Sequence, residues 1–365
     1  MSSDDPASAD PLALPDLASR SLRGSVIAAS DEFFAEKENL INPGAPSFSP
    51  HTFGHKGQVY DGWETRRRRG LPGSDSLPGT DLLPGADEHD WVIVRLGAPG
   101  VVHAVVIDTA HFTGNFPQAC SVEACWADGY PSLAELESAR WVQIVGRSPL
   151  KGDTAHVFEI PVEHRHRYSH VRLRIFPDGG VARLRVHGVV VPDPALLEGL
   201  TFDLAALENG GDVVACSDRF YSSPRNALSP GLSRVMGEGW ETRRRRSTGN
   251  EWLAVRLAAA AVISLVEIDT SGYIGNAPGT AEVRGALAGG ETARWDEPSS
   301  WRPLLARTPL LPDTPHRFRI AAATPCDVVR LDVFPDGGVA RLRLHGSLTA
   351  EGLAQVRRRW AHTAL

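Results

Sequence analysis

The sequence predicts an all-β protein made of two tandem, duplicated jelly-roll β-sandwiches. Three features lead there. The decapeptide FPDGGVARLR stands at 176–185 and again, unchanged, at 334–343. The segments around it alternate apolar and polar side chains with the period of two that belongs to a strand buried on one face. The 365 residues include 35 Gly and 27 Pro, which suits many turns between short strands better than long helices.

The repeat is long, and its blocks keep their order. VIAASDEFF (26–34) answers VVACSDRFY (213–221), and WETRRRR occurs at 63–69 and 240–246. VVIDTAHFTGNFP (105–117) answers VEIDTSGYIGNAP (266–278), and WVQIVGRSPL (141–150) answers WRPLLARTPL (301–310). This is a duplicated domain and not a short-period solenoid. The offset between copies falls from 187 at the first block to 177 at WETRRRR, then to 161 and 158, so the first copy carries extra loop residues. Its largest addition is GLPGSDSLPGTDLLPGADEH (70–89), a proline-rich surface loop. The expected layout is a disordered extension at 1–21, repeats at 22–190 and 205–348, a linker at 191–204, and a helical tail at 349–365. The tail is expected to pack across the domains or at a subunit contact.

Each repeat is read strand by strand. In HVRLRIF (170–176), Val171, Leu173 and Ile175 oppose His170, Arg172 and Arg174. In VARLRVH (181–187), Ala182, Leu184 and Val186 oppose Arg183, Arg185 and His187. Pro177-Asp178-Gly179-Gly180 between them has tight-turn chemistry, so the expectation is a β-hairpin with one apolar and one cationic face. The second copy repeats this, with Val329, Leu331, Val333, Ala340, Leu342 and Leu344 on the core side.

The net charge of −6 argues against a general nucleic-acid binder, while the clustered arginines leave local anion binding open. The four cysteines form no CxxC pair or dense framework and read as reduced thiols of a cytoplasmic protein. No apolar run reaches the length of a membrane span, and the N-terminus is acidic, so no membrane partner is expected.

The arginines of WETRRRR allow two readings. On a strand, Glu64, Arg66 and Arg68 share a face, and one guanidinium pair is partly buried against carboxylates such as Glu64 or Asp178. The group is then either a structural ion-pair network or a bidentate fork for a small organic anion. The candidate forks are Arg66 with Arg68 or Arg183 with Arg185; Arg243, Arg245, Arg341 and Arg343 are their counterparts. The IDT…GN.P block puts Asp108 and Asp269 at a strand end, followed by Asn115 and Asn276 in a loop where an amide can be held from both sides. Ten of the 13 histidines lie in the first copy, and His111 is matched by Gly272, so the two halves are not expected to perform chemistry identically. There is no nucleophile elbow, P-loop or HExxH motif. His164, His166 and His170 have metal-like spacing but are crowded by arginines, and no metal ligand is assigned.

DGWETRRRR, DTAHFTGNFP and FPDGGVARLRVHG together resemble the allantoicases, over roughly 22–348 and including the duplication. The resemblance implies two galactose-binding-like jelly rolls, often assembled into homo-oligomers, and the hydrolysis of allantoate to ureidoglycolate and urea in purine catabolism. It assigns no catalytic residues, so the roles come from the substrate's chemistry. Allantoate carries a carboxylate and two ureido groups on one carbon. Its hydrolysis needs an anion clamp, a seat for planar amides, an acid for the leaving urea and a base for water. Glu64 or Asp108 is the expected base and His111 or His187 the acid. Asn115 and Asn276 hold the ureido groups, and the arginine pairs bind the carboxylate. No cofactor is assigned; a divalent metal replacing part of this machinery is the alternative. The rival function is a non-catalytic tandem ligand-binding protein.

Overall fold

The computed structural model describes residues 10–68, 87–288, 301–321 and 324–365. All but the last three residues of the Leu-Pro-Gly loop lie outside them. The chain divides into two compact units between Val189 and Val190. The first contains β1 (Ser25–Ala29), β2 (Phe53–Gly54), β3 (Gly57–Gln58), β4 (Trp63–Glu64), β5 (Asp90–Asp108), β6 (Ala119–Cys125), β7 (Val142–Pro149), β8 (Ala155–Glu159), β9 (Arg167–Phe176), β10 (Gly180–Val181) and β11 (Arg183–Val190). A short helix, α1 (Leu133–Glu137), lies between β6 and β7. The second contains β12 (Phe202–Asp203), β13 (Asp212–Cys216), β14 (Trp240–Glu241), β15 (Glu251–Asp269), β16 (Thr280–Ala286), β17 (Arg302–Pro309), β18 (Pro315–Arg319), β19 (Pro325–Phe334), β20 (Gly338–Val339), β21 (Arg341–Leu348) and the helix α2 (Ala350–His362).

One long strand organises each sandwich. The first part of β5 pairs with β1 and β9. Its register with β9 then shifts between Arg95 and Gly100, and from Ala104 to Asp108 it pairs with β8. The strand β11 joins it as well. A single bent strand therefore serves both layers. The bend packs its backbone against the N-terminal segment, so a Cβ at Gly97 would lie 1.9 Å from the Leu22 carbonyl oxygen. In the second domain β15 repeats the scheme, pairing with β13 and β19 first and with β18 and β21 after its register shift.

The apolar faces fall where the alternation puts them: Val171, Leu173, Ile175, Ala182, Leu184 and Val186 are fully buried. The hairpin expectation is corrected. The strands β9 and β11 do not pair with each other; β9 lies between β5 and β6, while β11 pairs with β5. Pro177–Gly180 thus carries the chain from one partner set to another instead of closing a two-strand ribbon. A second correction concerns the N-terminal extension, which is structured from Asp10 onward. Leu17, Ala18 and Leu22 are buried, the Leu17 N–H donates to the Val186 carbonyl at 2.7 Å, and Asp16 bridges to His187. Those apolar side chains complete the first core, which is why the segment is ordered. The tail forms α2, which packs Val356 with Ala259 and Leu197 of its own domain.

The two most unusual motifs meet inside each domain. Glu64 pairs with Gly180 and Trp63 with Val181 between β4 and β10; Glu241 pairs with Gly338 and Trp240 with Val339 between β14 and β20. Both tryptophans are fully buried, and their indole N–H groups donate to the Asp31 and Asp218 carbonyls at 2.8 and 3.0 Å. The contact requires glycine. A Cβ at Gly180 would lie 2.0 Å from the Phe112 ring, and one at Gly338 would lie 2.0 Å from Tyr273.

Gly180→Ala should therefore push Phe112 aside and cost about 1–3 kcal/mol, the usual range for overpacking a filled core. Denaturant titration of the variant against wild type measures it, and an unchanged midpoint would mean that Phe112 is loosely held.

Candidate active site

The loop after β5 is built to present two side chains. Asp108 ends the strand and caps the turn, its Oδ1 accepting the Ala110 N–H at 2.8 Å, so one oxygen of the carboxylate expected as a base is engaged in the turn. Thr109 is buried and donates to the Lys151 carbonyl at 2.6 Å. The chain then passes through His111 in the left-handed region, at φ +69. The Asp153 carboxylate accepts the His111 backbone N–H at 2.8 Å and holds that conformation. Phe112 turns into the core, and Asn115 reaches back to Glu64, Nδ2 to Oε1, at 2.7 Å.

Glu64 is 8% exposed. Burial raises its carboxyl above the ordinary 4.5, against a smaller lowering by the Asn115 amide. Among the described residues, neither the second Glu64 carboxylate oxygen nor the Asn115 side-chain oxygen has a hydrogen-bond partner. The Asn115 side-chain oxygen can therefore accept an N–H of a urea or ureido unit, and the second Glu64 oxygen can accept one when ionised or donate when protonated.

The arginines do not converge, and most are not anion forks. Arg183, 2% exposed, spends its guanidinium on the Gly44, Ala45, Asp61 and Ala182 carbonyls and on the Asp61 carboxylate at 2.7 Å. Arg185 donates to the Asn42, Pro43 and Gly44 carbonyls and to Asp16. The repeated decapeptide thus pins the loop around residue 44 to the sandwich. Burial would raise the Asp61 carboxyl, but the Arg183 and Ser47 hydrogen bonds hold it below its ordinary 3.8. That contribution to stability is present above pH 3.8 and is lost as pH falls through the depressed value. Arg68 pairs with Asp90 at 2.7 Å, and its backbone N–H donates to Asp178. In the second domain Arg341 and Arg343 pin the Gly231 carbonyl, and Arg245 pairs with Glu251. His187 faces the N-terminal segment, its Nδ1 set 2.9 Å from the Leu14 carbonyl oxygen.

Arg66 is the exception in the first domain. Its Nε donates to Asp31 at 2.7 Å and its guanidinium lies over the Phe33 ring, 5.1 Å from the centroid. No hydrogen-bond partner of its terminal nitrogens occurs among the described residues, and the side chain lines an open cavity of about 450 Å³ with Asp31, Glu32, Phe33, His55 and Lys56. Arg243 repeats the arrangement on Asp218 at 2.8 Å and over Phe220 at 4.9 Å. Asn276 repeats Asn115, donating to Glu241 Oε1 at 2.6 Å.

Sequence reasoning passed over the segment that walls this site. The β2–β3 hairpin carries His55 and Lys56, with the Lys56 ammonium held by Glu36 at 3.1 Å and by the Glu32 carbonyl. Beside it a stack of rings runs His111–Phe48–Tyr60–Phe112, with centroids 5.0 to 5.7 Å apart. The signal was present, because the fall in offset from 187 to 177 marks this stretch as extra in the first copy. Among the described residues no group of three or more His, Cys, Asp or Glu is placed to hold a metal ion. His166 sits on the Glu163 carbonyl, and His170 sits beside the Ser169 hydroxyl with its pKa lowered by burial to about 4.

A model of the allantoicase repeat matches residues 15–191 and 202–349. The chain is 54% identical over 337 residues to a probable allantoicase of Nocardia farcinica, covering 92% of this chain and 94% of that one. It is 40% identical over 341 residues to the allantoicase of Dictyostelium discoideum, covering 91% and 87%. The crystal structure of allantoicase from Saccharomyces cerevisiae superposes with a TM-score of 0.73 at 33% identity, covering 91% of this chain and 92% of that one.

Arg183→Met keeps the length of the side chain and removes every donor. It should cost about 3–5 kcal/mol, as breaking a buried charge pair does, and free the segment around residue 44. Hydrogen exchange should show protection lost at 43–48 with β5 and β9 still protected. Uniform protection would mean that the loop is held by something else.

Proposed function

The chain belongs to the allantoicase family and hydrolyses allantoate to ureidoglycolate and urea, and we propose that Glu64, Asn115, Arg66 and His111 of the first domain perform that reaction. The observation that carries the assignment is the Glu64–Asn115 pair, a buried carboxyl whose one side-chain hydrogen-bond partner among the described residues is an amide. A fold seldom retains such a group for stability, because burying a carboxylate without a cation costs more than an apolar replacement would.

The reaction breaks one carbon–nitrogen bond and forms one carbon–oxygen bond. Arg66, anchored by Asp31 and backed by Phe33, presents its terminal nitrogens to the substrate carboxylate. The Asn115 side-chain oxygen receives an N–H of the departing ureido unit. Glu64 was expected as a base, but its raised pKa suits it to carry a proton to the leaving nitrogen. The lone pair of the remaining ureido nitrogen supports the carbon as the bond opens, and water adds there. His111 was expected as an acid, but its surroundings favour the base. Its Nε2 lies 3.3 Å from the Pro46 carbonyl oxygen, which can only accept, so that nitrogen holds the hydrogen and Nδ1 is left to take a proton from water. The free cysteines favour a reducing, cytoplasmic setting, and the family resemblance favours a homo-oligomer.

Two variants test the assignment. Glu64→Gln should lower urea release by about 10²–10⁴, the range for a lost proton-transfer group. It should not lower stability at neutral pH. A carboxyl whose folded pKa is raised stabilises the fold only while protonated, and that contribution is lost as pH rises through the raised value, so a neutral amide removes a penalty. His111→Gly suits the backbone better at φ +69 and removes only the imidazole; stability should stay within about 1 kcal/mol while the rate falls. Full turnover in either variant sinks the role of that residue.

A further inference from the structure

The second domain keeps more of this arrangement than its architecture needs. Glu241 is held by pairing with Gly338, as Glu64 is with Gly180, and its N–H donates to the Ser222 hydroxyl oxygen at 2.9 Å. Asn276 donates to Glu241 Oε1, which leaves the other carboxylate oxygen and the Asn276 side-chain oxygen without hydrogen-bond partners among the described residues. The terminal nitrogens of Arg243 are likewise without hydrogen-bond partners among the described residues, with Nε fixed by Asp218 and the guanidinium over Phe220. Carboxylate fork and ureido acceptors are thus both duplicated, although the fold requires neither to be open.

One apolar side chain borders these polar groups: the Met236 sulfur lies 3.9 Å from the Asn276 side-chain nitrogen.

The chemistry of the first domain is missing. Gly272 stands where the first copy has His111, with the same left-handed backbone at φ +83 and the same clamp from an aspartate, Asp313, at 2.7 Å. The hairpin with His55 and Lys56 has no counterpart, since the second copy is shorter there. Without an imidazole to take a proton from water, a bound ureide keeps its carbon–nitrogen bond.

We propose that Glu241, Asn276 and Arg243 form a second site, which binds ureido acids, compounds bearing a carboxylate and a ureido group, without hydrolysing them. This rests on the reading of Glu64, Asn115 and Arg66 given above. The site makes each chain a two-site binder with one site for turnover.

The test uses the full chain and allantoate itself. Calorimetric titration compares Glu64→Gln with the double variants Glu64→Gln/Glu241→Gln and Glu64→Gln/Asn276→Ala. The expected result is one allantoate fewer bound per chain in each double variant than in the single one. Equal stoichiometry in all three overturns the second site; agreement of the two double variants rules out a folding defect peculiar to one. Urea release on the same samples separates the two readings. If Glu64→Gln keeps about half of wild-type turnover and loses it only in the double variants, the second site is catalytic and the claim of binding alone is wrong. Wild-type turnover in all three would instead remove Glu64 from catalysis, whatever the stoichiometry.

Discussion

Two residues of one motif pairing with two of another fix the chemistry at this end of each domain. The main chain of Glu64 is committed on both sides, to Ala35 and to Gly180. Buried Trp63 precedes it, and Thr65, whose hydroxyl oxygen accepts the Gly179 N–H at 3.1 Å, follows it. The side chain has no freedom to swing into solvent, so the carboxyl stays where burial opposes its charge. A group held in that way meets a substrate with little reorganisation left to do.

The same constraint explains why the arginine-bearing decapeptide occurs twice. Each copy must tie a long connection, around Gly44 in one and Gly231 in the other, to a strand of the sandwich. Such a connection exposes carbonyl oxygens that need donors once they are covered. A guanidinium supplies five donors in one rigid plane, and Arg183 and Arg341 use theirs almost wholly on backbone oxygen. Lysine could not reach so many at once. The guanidinium groups left for a ligand, those of Arg66 and Arg243, are ones whose aspartate takes only Nε.

The duplication, the all-β class and the buried faces of β9 and β11 were legible because each rests on local pattern, identity at fixed spacing or a period of two. The partners of those strands were not, since alternation says which side chains face the core and nothing about which strand lies alongside. Glu64 and Asn115 were legible as residue types with suitable chemistry. Their meeting was not, being a contact between positions 51 apart. The roles of Arg183 and Arg185 were misread for a related reason: alternation put them on the outer face correctly, but a face turned away from the core can still be roofed by a loop. The hairpin walling the cavity was visible only as a change of offset.

His111 and Gly272 show how the demands of the fold and of the reaction come apart. Both copies bend the chain through the left-handed region at this point, and both fix the bend with an aspartate from the turn after β7 or β17, Asp153 or Asp313. Glycine meets that demand at no steric cost, and the second copy uses it. Histidine there costs about 1 kcal/mol or more, the usual penalty for a side chain in that conformation, and it is retained only where the ring finds Phe48 to lie against and Pro46 to fix its tautomer. Both of those residues belong to the stretch around the hairpin, tied down at its base by Arg183 and Arg185. Strain and ring stack therefore belong together, and both are intelligible if the imidazole is wanted at that spot; the guanidinium anchors, which the second copy shares, hold the stretch that carries them. A duplicated domain makes such a departure affordable to the fold, because the second copy shows that the same architecture stands without it.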